Sequence, residues 1–186
     1  MDEWDNYSDI IHTVDGNLGF KMSELEFLAY KVELDSGKVF DKLLGKYVKN
    51  PKTLYVLLSH YAKAKNIEEV GKLIKFRELP GGYAYERAFK RRAEIPIAET
   101  FGTKPKMLVE AAKVLSGVKA DYGDYSVKIP ALPKIPITYV LWKSNEFPTA
   151  CSALFDESAS HYLPTEDLAV IGQLTTTRIK SPTEVE

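Results

Sequence analysis

The chain has 186 residues, with 25 Lys plus Arg against 26 Asp plus Glu and a formal charge of −1. That size suggests one domain, and the balanced charge gives no long-range field to gather nucleic acid or an anionic membrane. With 45% hydrophobic and 27% charged residues, a chain of this length buries about 70% of its unfolded surface, which excludes overall disorder.

Residues 1–26 are acidic and loosely periodic, and are expected to form a short helix or an arm lying on a domain spanning 27–180. The start, MDEWDNYSD, lacks the basic and apolar segments of a signal peptide, and no apolar run reaches the roughly 18 residues of a membrane span. A cytoplasmic location without membrane association is therefore expected. From Phe27 to Leu34 apolar and polar residues alternate, predicting a half-buried strand that turns at Asp35-Ser36-Gly37 and returns as a hairpin through Val39 to Val48. Asn50-Pro51 reads as a cap and first helical residue, with Leu54, Leu57, Leu58 and Tyr61 on one stripe.

Leu73 to Arg77 predicts a short strand closed by Leu79-Pro80-Gly81-Gly82. A helix follows from Tyr83, with Tyr85, Ala88 and Phe89 on one face, and Pro96 is expected to break or kink it. Pro105 opens another helix that ends before Gly117. Tyr125 to Ile129 suggests a strand that Pro130, Pro133 and Pro136 restrict to an edge or loop, Ile137 to Trp142 a buried central strand, and Ala150 to Phe155 its neighbour. Pro164 starts the last helix, and SPTEVE at 181–186 reads as a frayed tail. Without regular βαβ alternation, this order favours a single α+β domain with helices packed on an antiparallel or mixed sheet.

Cys151 is the only cysteine, so neither an intrachain disulfide nor an intrachain four-cysteine iron–sulfur or zinc site can form. A buried thiol is its expected role. His12, His60 and His161 are too far apart for a local metal pair, and no metal ligands are assigned. His60, beside an apolar stripe, reads as a packed or surface residue. Around His161 stand Asp156, Glu157, Glu166 and Asp167. If 156–161 is a helical turn, Glu157 faces His161 and tunes it for proton transfer or ligation; alternatively, Glu166 and Asp167 serve only the helix dipole. Arg87, Lys90, Arg91 and Arg92 put four cations on one predicted helix, either a solvated face or a grip for a phosphate or carboxylate. Trp142, Glu146, Phe147 and Pro148 form either a pocket wall or a packed corner. No nucleophile elbow or nucleotide-binding glycine motif occurs.

The succession LLSHY, IKFRELPGGYAYERAF and PKIPITYVLWKSNEFPTACSALFDESASHYLPTEDLAVIG resembles the uncharacterised domain-of-unknown-function family numbered thirty-seven eighty-six, common in anaerobic archaea and bacteria. The resemblance runs from about Phe27 to Leu174. It brings no established activity. Because some relatives look to be joined to an iron–sulfur domain, it implies a setting in anaerobic redox or corrinoid metabolism, in which any cluster belongs to a partner protein. It places Phe76, Arg77, Pro80, Gly81 and Gly82 in one motif and Trp142, Glu146, Phe147, Pro148, Phe155, Asp156, Pro164, Glu166 and Asp167 in another. Ser144 and Asn145 stand where the family is usually more acidic, which weakens a metal reading of that loop.

Polar residues embedded in apolar motifs need partners or ligands. Arg77, Glu146, Asp156, His161 and Glu166 are accordingly expected to converge on a pocket for a small molecule or cofactor, with Arg77 holding an anionic group. The alternative is a non-catalytic interaction module that docks an iron–sulfur or corrinoid protein, or a second copy of the chain as a homodimer. Nucleic-acid binding through Arg87 to Arg92 is disfavoured by the balanced charge. Whether the protein is an enzyme is left open, as is the identity of any cofactor.

Overall fold

The computed structural model describes residues 3–143 and 145–181. A 3-10 turn, Glu3–Asn6, and helix α1, Ser8–His12, open the chain. They are part of the domain rather than an arm laid upon it, because Trp4, Ile11, Val14, Leu18 and Phe20 are all buried in the core. Four short strands follow: β1 Leu25–Phe27, β2 Tyr30–Val32, β3 Val39–Asp41 and β4 Lys46–Tyr47, an antiparallel sheet in the order β1-β2-β3-β4. The single strand expected over 27–34 is thus two, turned between Phe27 and Tyr30 by Leu28 and Ala29, both at positive φ. Tight hairpin turns require that backbone conformation, and burial of the Leu28 side chain holds it in place.

Helix α2, Lys52–Tyr61, starts where Asn50 and Pro51 predict, with the Asn50 side-chain oxygen accepting from Lys52 N–H. Strand β5, Leu73–Lys75, then leads through a 3-10 turn, Phe76–Glu78, into α3, Gly82–Phe89. Pro96 does not end the helical path. The chain passes through a π turn, Lys90–Glu94, into α4, Ile95–Phe101. Proline has no N–H to return to the carbonyl four residues back; the widened turn instead carries the Ile95 N–H to Lys90 O. Helix α5, Pro105–Val114, precedes β6 Val118–Ala120, β7 Tyr125–Leu132, β8 Ile135–Trp142 and β9 Ala150–Asp156. A one-turn helix, α6 Ala159–Tyr162, and the long α7, Thr165–Lys180, complete the domain. Of the tail expected at 181–186, all but Ser181 lies outside the described residues.

The second sheet is antiparallel in the order β5-β9-β8-β7-β6. The protein is therefore a single α+β domain with two antiparallel sheets. Strand β7 is no loop: it continues through Pro130, which lies opposite Pro136, and is flanked on its other side only along Ser126 to Lys128. On their outer sides Pro130 lies beyond β6, which pairs only Ser126 to Lys128, and Pro136 lies before the β8 residues paired with β9, Ile137 to Trp142, so both prolines take edge positions where no ladder bond is lost. Register aligns Tyr125, Leu141 and Cys151; Val127, Tyr139 and Ala153; and Ile129, Ile137 and Phe155 in three rows on one face. Helix α7 packs there, where the Tyr139 hydroxyl donates to Gly172 O and meets the Thr176 hydroxyl at 3.0 Å. Phe155 meets Phe89, which stacks on Phe76 with ring centroids 4.1 Å apart. Among the described residues no helix is long and apolar enough to cross a membrane.

Candidate functional site

Strand β5 pairs with β9 only from Leu154 to Asp156, then leaves the sheet at Lys75 for the 3-10 turn. The first half of β9 is thereby left to face α3, the π turn and α4. A cleft of ≈ 750 Å³ opens between them. Its wall is mostly apolar, from Phe76, Phe89, Ile95, Ala98, Pro148 and Cys151. That size and lining are those of a small-molecule site.

Glu94 stands in this wall and is 8% exposed. The π turn sets it against the sheet edge, where its Oε1 accepts from the Ala153 N–H at 3.0 Å. Burial raises the carboxyl above the usual range, an effect that the Ala153 N–H and Lys90 only partly offset. A carboxyl raised in this way takes up a proton more readily than a free one, and in its protonated form donates as well as accepts. π turns are rare and concentrate at functional sites. Cys151 lies on the same wall, but burial and the Glu94 charge push its thiol up. That shift favours the protonated thiol, in keeping with the buried thiol expected from sequence.

The rim is charged. Arg77, from the 3-10 turn, lies 3.9 Å from Glu86 and over the Tyr83 ring at 5.6 Å. Lys90 pairs with the same Glu86 at 2.9 Å. Beyond Lys90 the cleft adjoins a shallower depression of ≈ 380 Å³, lined by Glu86, Arg87, Lys90, Arg91 and Ile95. Arg92 is exposed and lines neither hollow. Among the described residues, no three His, Cys, Asp or Glu side chains are grouped so as to hold a metal ion.

A family model described as "Domain of unknown function (DUF3786)" matches residues 13–178. The chain belongs to this family. No curated protein and no solved structure matches it.

Of the five residues expected from the sequence to converge on a pocket, Arg77 lines the cleft, as do Lys90 of the basic helix and, from the DUF3786 motifs, Phe76 and Pro148. Glu146, Asp156, His161 and Glu166 are not among the lining residues. Asp156 is buried and fully engaged: it accepts from Val70 N–H at 2.9 Å, Gly71 N–H at 2.7 Å, Ser158 N–H at 3.0 Å and the Ser158 hydroxyl at 2.6 Å. Burial disfavours its charge, yet these bonds together hold the carboxyl below the usual carboxylate range. It clasps the segment before β5 to the end of β9.

His161 is exposed, with Nε2 2.8 Å from Lys65 O. Glu157, expected to face it, instead pairs with Lys72 at 2.7 Å. Glu166 is exposed in the first turn of α7, and its neighbour Asp167 pairs with His60 of α2. Glu146 lies in the exposed loop after β8. Trp142 and Phe147, expected to pack, are instead 50% and 70% exposed. The reading from sequence missed Glu94. Its signal was an acid two residues before a proline in an otherwise apolar stretch, AEIPIA.

Proposed function

We propose that the protein is a small-molecule-binding domain whose ligand occupies the cleft between α3, α4 and the first half of β9. The observation that carries this reading is the cleft itself, a largely apolar ≈ 750 Å³ hollow with the nearly buried Glu94 carboxyl in its wall. Apolar walls supply affinity, and a few placed polar groups fix orientation. Arg77 and Lys90, which share Glu86, make the rim polar and mark the end of the cleft at which a charged group of the ligand leaves it. Glu94 exchanges a hydrogen bond with a polar atom deep in the site, and where the ligand reacts it is the group placed to move a proton.

A neutral fluorophore, N-phenyl-1-naphthylamine, tests the site. Its fluorescence should rise saturably with the wild-type protein. Ala98→Phe, which fills the cleft from α4, should abolish that rise, as should Ser152→Phe on the opposite wall, each without loss of the far-ultraviolet circular dichroism spectrum. Equal binding by wild type and both filled variants would mean that the cleft is not a ligand site.

A further inference from the structure

Resting on the cleft as the ligand site, we propose that its ligand is an amphipathic anion, whose apolar body fills the cleft and whose carboxylate or phosphate sits on Arg87 and Arg91. The cleft and the smaller depression share Glu86, Lys90 and Ile95, so one molecule can span both. The cations along this surface differ in how far they are already committed. Lys90 and Arg77 share Glu86, whereas among the described residues no ion pair or side-chain hydrogen bond engages the Arg87 or Arg91 guanidinium. Arg87 and Arg91 line the same depression, four residues apart in the continuous helical path.

Like charges at that spacing destabilise a helix, a cost that an anion between them removes. Guanidinium groups match the planar oxygen pairs of carboxylates and phosphates better than ammonium groups do. Ile95, 48% exposed although apolar, forms the wall between the two hollows. A ligand that crosses it covers that side chain as well. A wholly apolar ligand would leave both arginines unused, and a small inorganic anion would leave the cleft empty.

Two probes with one ring system separate the two halves of the proposal. 8-Anilinonaphthalene-1-sulfonate carries the anionic group that N-phenyl-1-naphthylamine lacks. At low ionic strength the wild-type protein should bind the sulfonate about three- to tenfold more tightly, the range set by one or two partly exposed ion pairs. Arg87→Gln with Arg91→Gln should bring the two probes to within about twofold of each other, leaving the neutral probe unchanged and the melting temperature equal or slightly higher, and added salt should likewise bring the probes together. Decanoate and decyl phosphate should both displace the sulfonate, the lower half-displacement concentration naming the head group.

A neutral probe excluded by Ala98→Phe, together with sulfonate binding that ignores the arginine substitutions, overturns this inference alone. Failure of both alkyl anions to displace the sulfonate overturns it too. A neutral probe indifferent to Ala98→Phe and Ser152→Phe overturns the cleft reading and the inference with it.

Discussion

Asp156, the last residue of β9, and Glu94, which reaches the middle of that strand from the π turn, show how two buried carboxyls come to opposite charge preferences. Asp156 has four donors and keeps its charge, whereas Glu94 has one backbone donor and burial dominates. The raised Glu94 carboxyl has a consequence for stability, with a definite sign. Below the unfolded glutamate pKa of about 4.3 both states are protonated and the group is neutral in effect. As pH rises above that value the unfolded chain loses its proton first, so stability falls, and the loss is complete once pH exceeds the raised folded value. Glu94→Gln keeps an acceptor for Ala153 N–H without the charge. Urea melts should therefore show the variant equal to or below wild type near pH 4 and gaining on it steadily toward neutrality; a difference independent of pH would contradict the buried acid. From sequence, Asp156 was legible as a residue needing partners, but not which ones, because Val70 and Gly71 lie 86 and 85 residues away.

At the scale of elements, the cleft depends on how abruptly the chain leaves β5 for α3. Gly81 and Gly82 make that corner for different reasons. Gly81 has φ 74° and open space around it, so Gly81→Ala should cost only the left-handed backbone penalty, about 1–2 kcal/mol. A Cβ on Gly82 would overlap the carbonyl oxygen of Phe76, which is backbone and cannot rotate aside. Gly82→Ala should therefore cost about 3 kcal/mol or more by forcing the 3-10 turn and α3 apart. Chemical denaturation of the two variants would reveal the order, and a milder effect at Gly82 would refute the close approach. The Pro-Gly-Gly signal was readable, as were α2, β8, β9 and the start of α7, where caps and apolar periods agree. The turn at Leu28 and Ala29 was not readable, because neither residue belongs to the Gly, Asn and Asp set that announces positive φ. Nor was the passage of β7 through Pro130, since tolerance of a proline there depends on where β6 stops.

For the whole molecule, the α+β class followed from the order of elements, while the division into two sheets depended on contacts between distant segments. The firmest of these joins α7 to the smaller sheet. Arg178, 3% exposed, donates from Nη1 and Nη2 to both oxygens of Asp41 at 2.7 and 2.8 Å, and from Nε to Leu28 O at 2.9 Å. Its guanidinium lies over the Tyr30 ring at 4.0 Å. Burial opposes the charge on Asp41, but these bonds and the Leu43 and Leu44 N–H groups hold its carboxyl below the usual range. Removing one partner of such a pair strands the other, so Arg178→Ala should destabilise the protein by about 3–5 kcal/mol. Arg178→Met with Asp41→Leu should recover much of that loss, as thermal melts of single and double variants will show.

Asp41 and Arg178 are 137 positions apart in the chain. On a ribosome, β3 is finished long before its ion partner has been translated, and Asp41 must wait in water until the last turn of α7 emerges. The smaller sheet is thus synthesised well before the helix that locks it, so a chain released before Arg178 would hold every described strand and lack the clasp between α7 and that sheet.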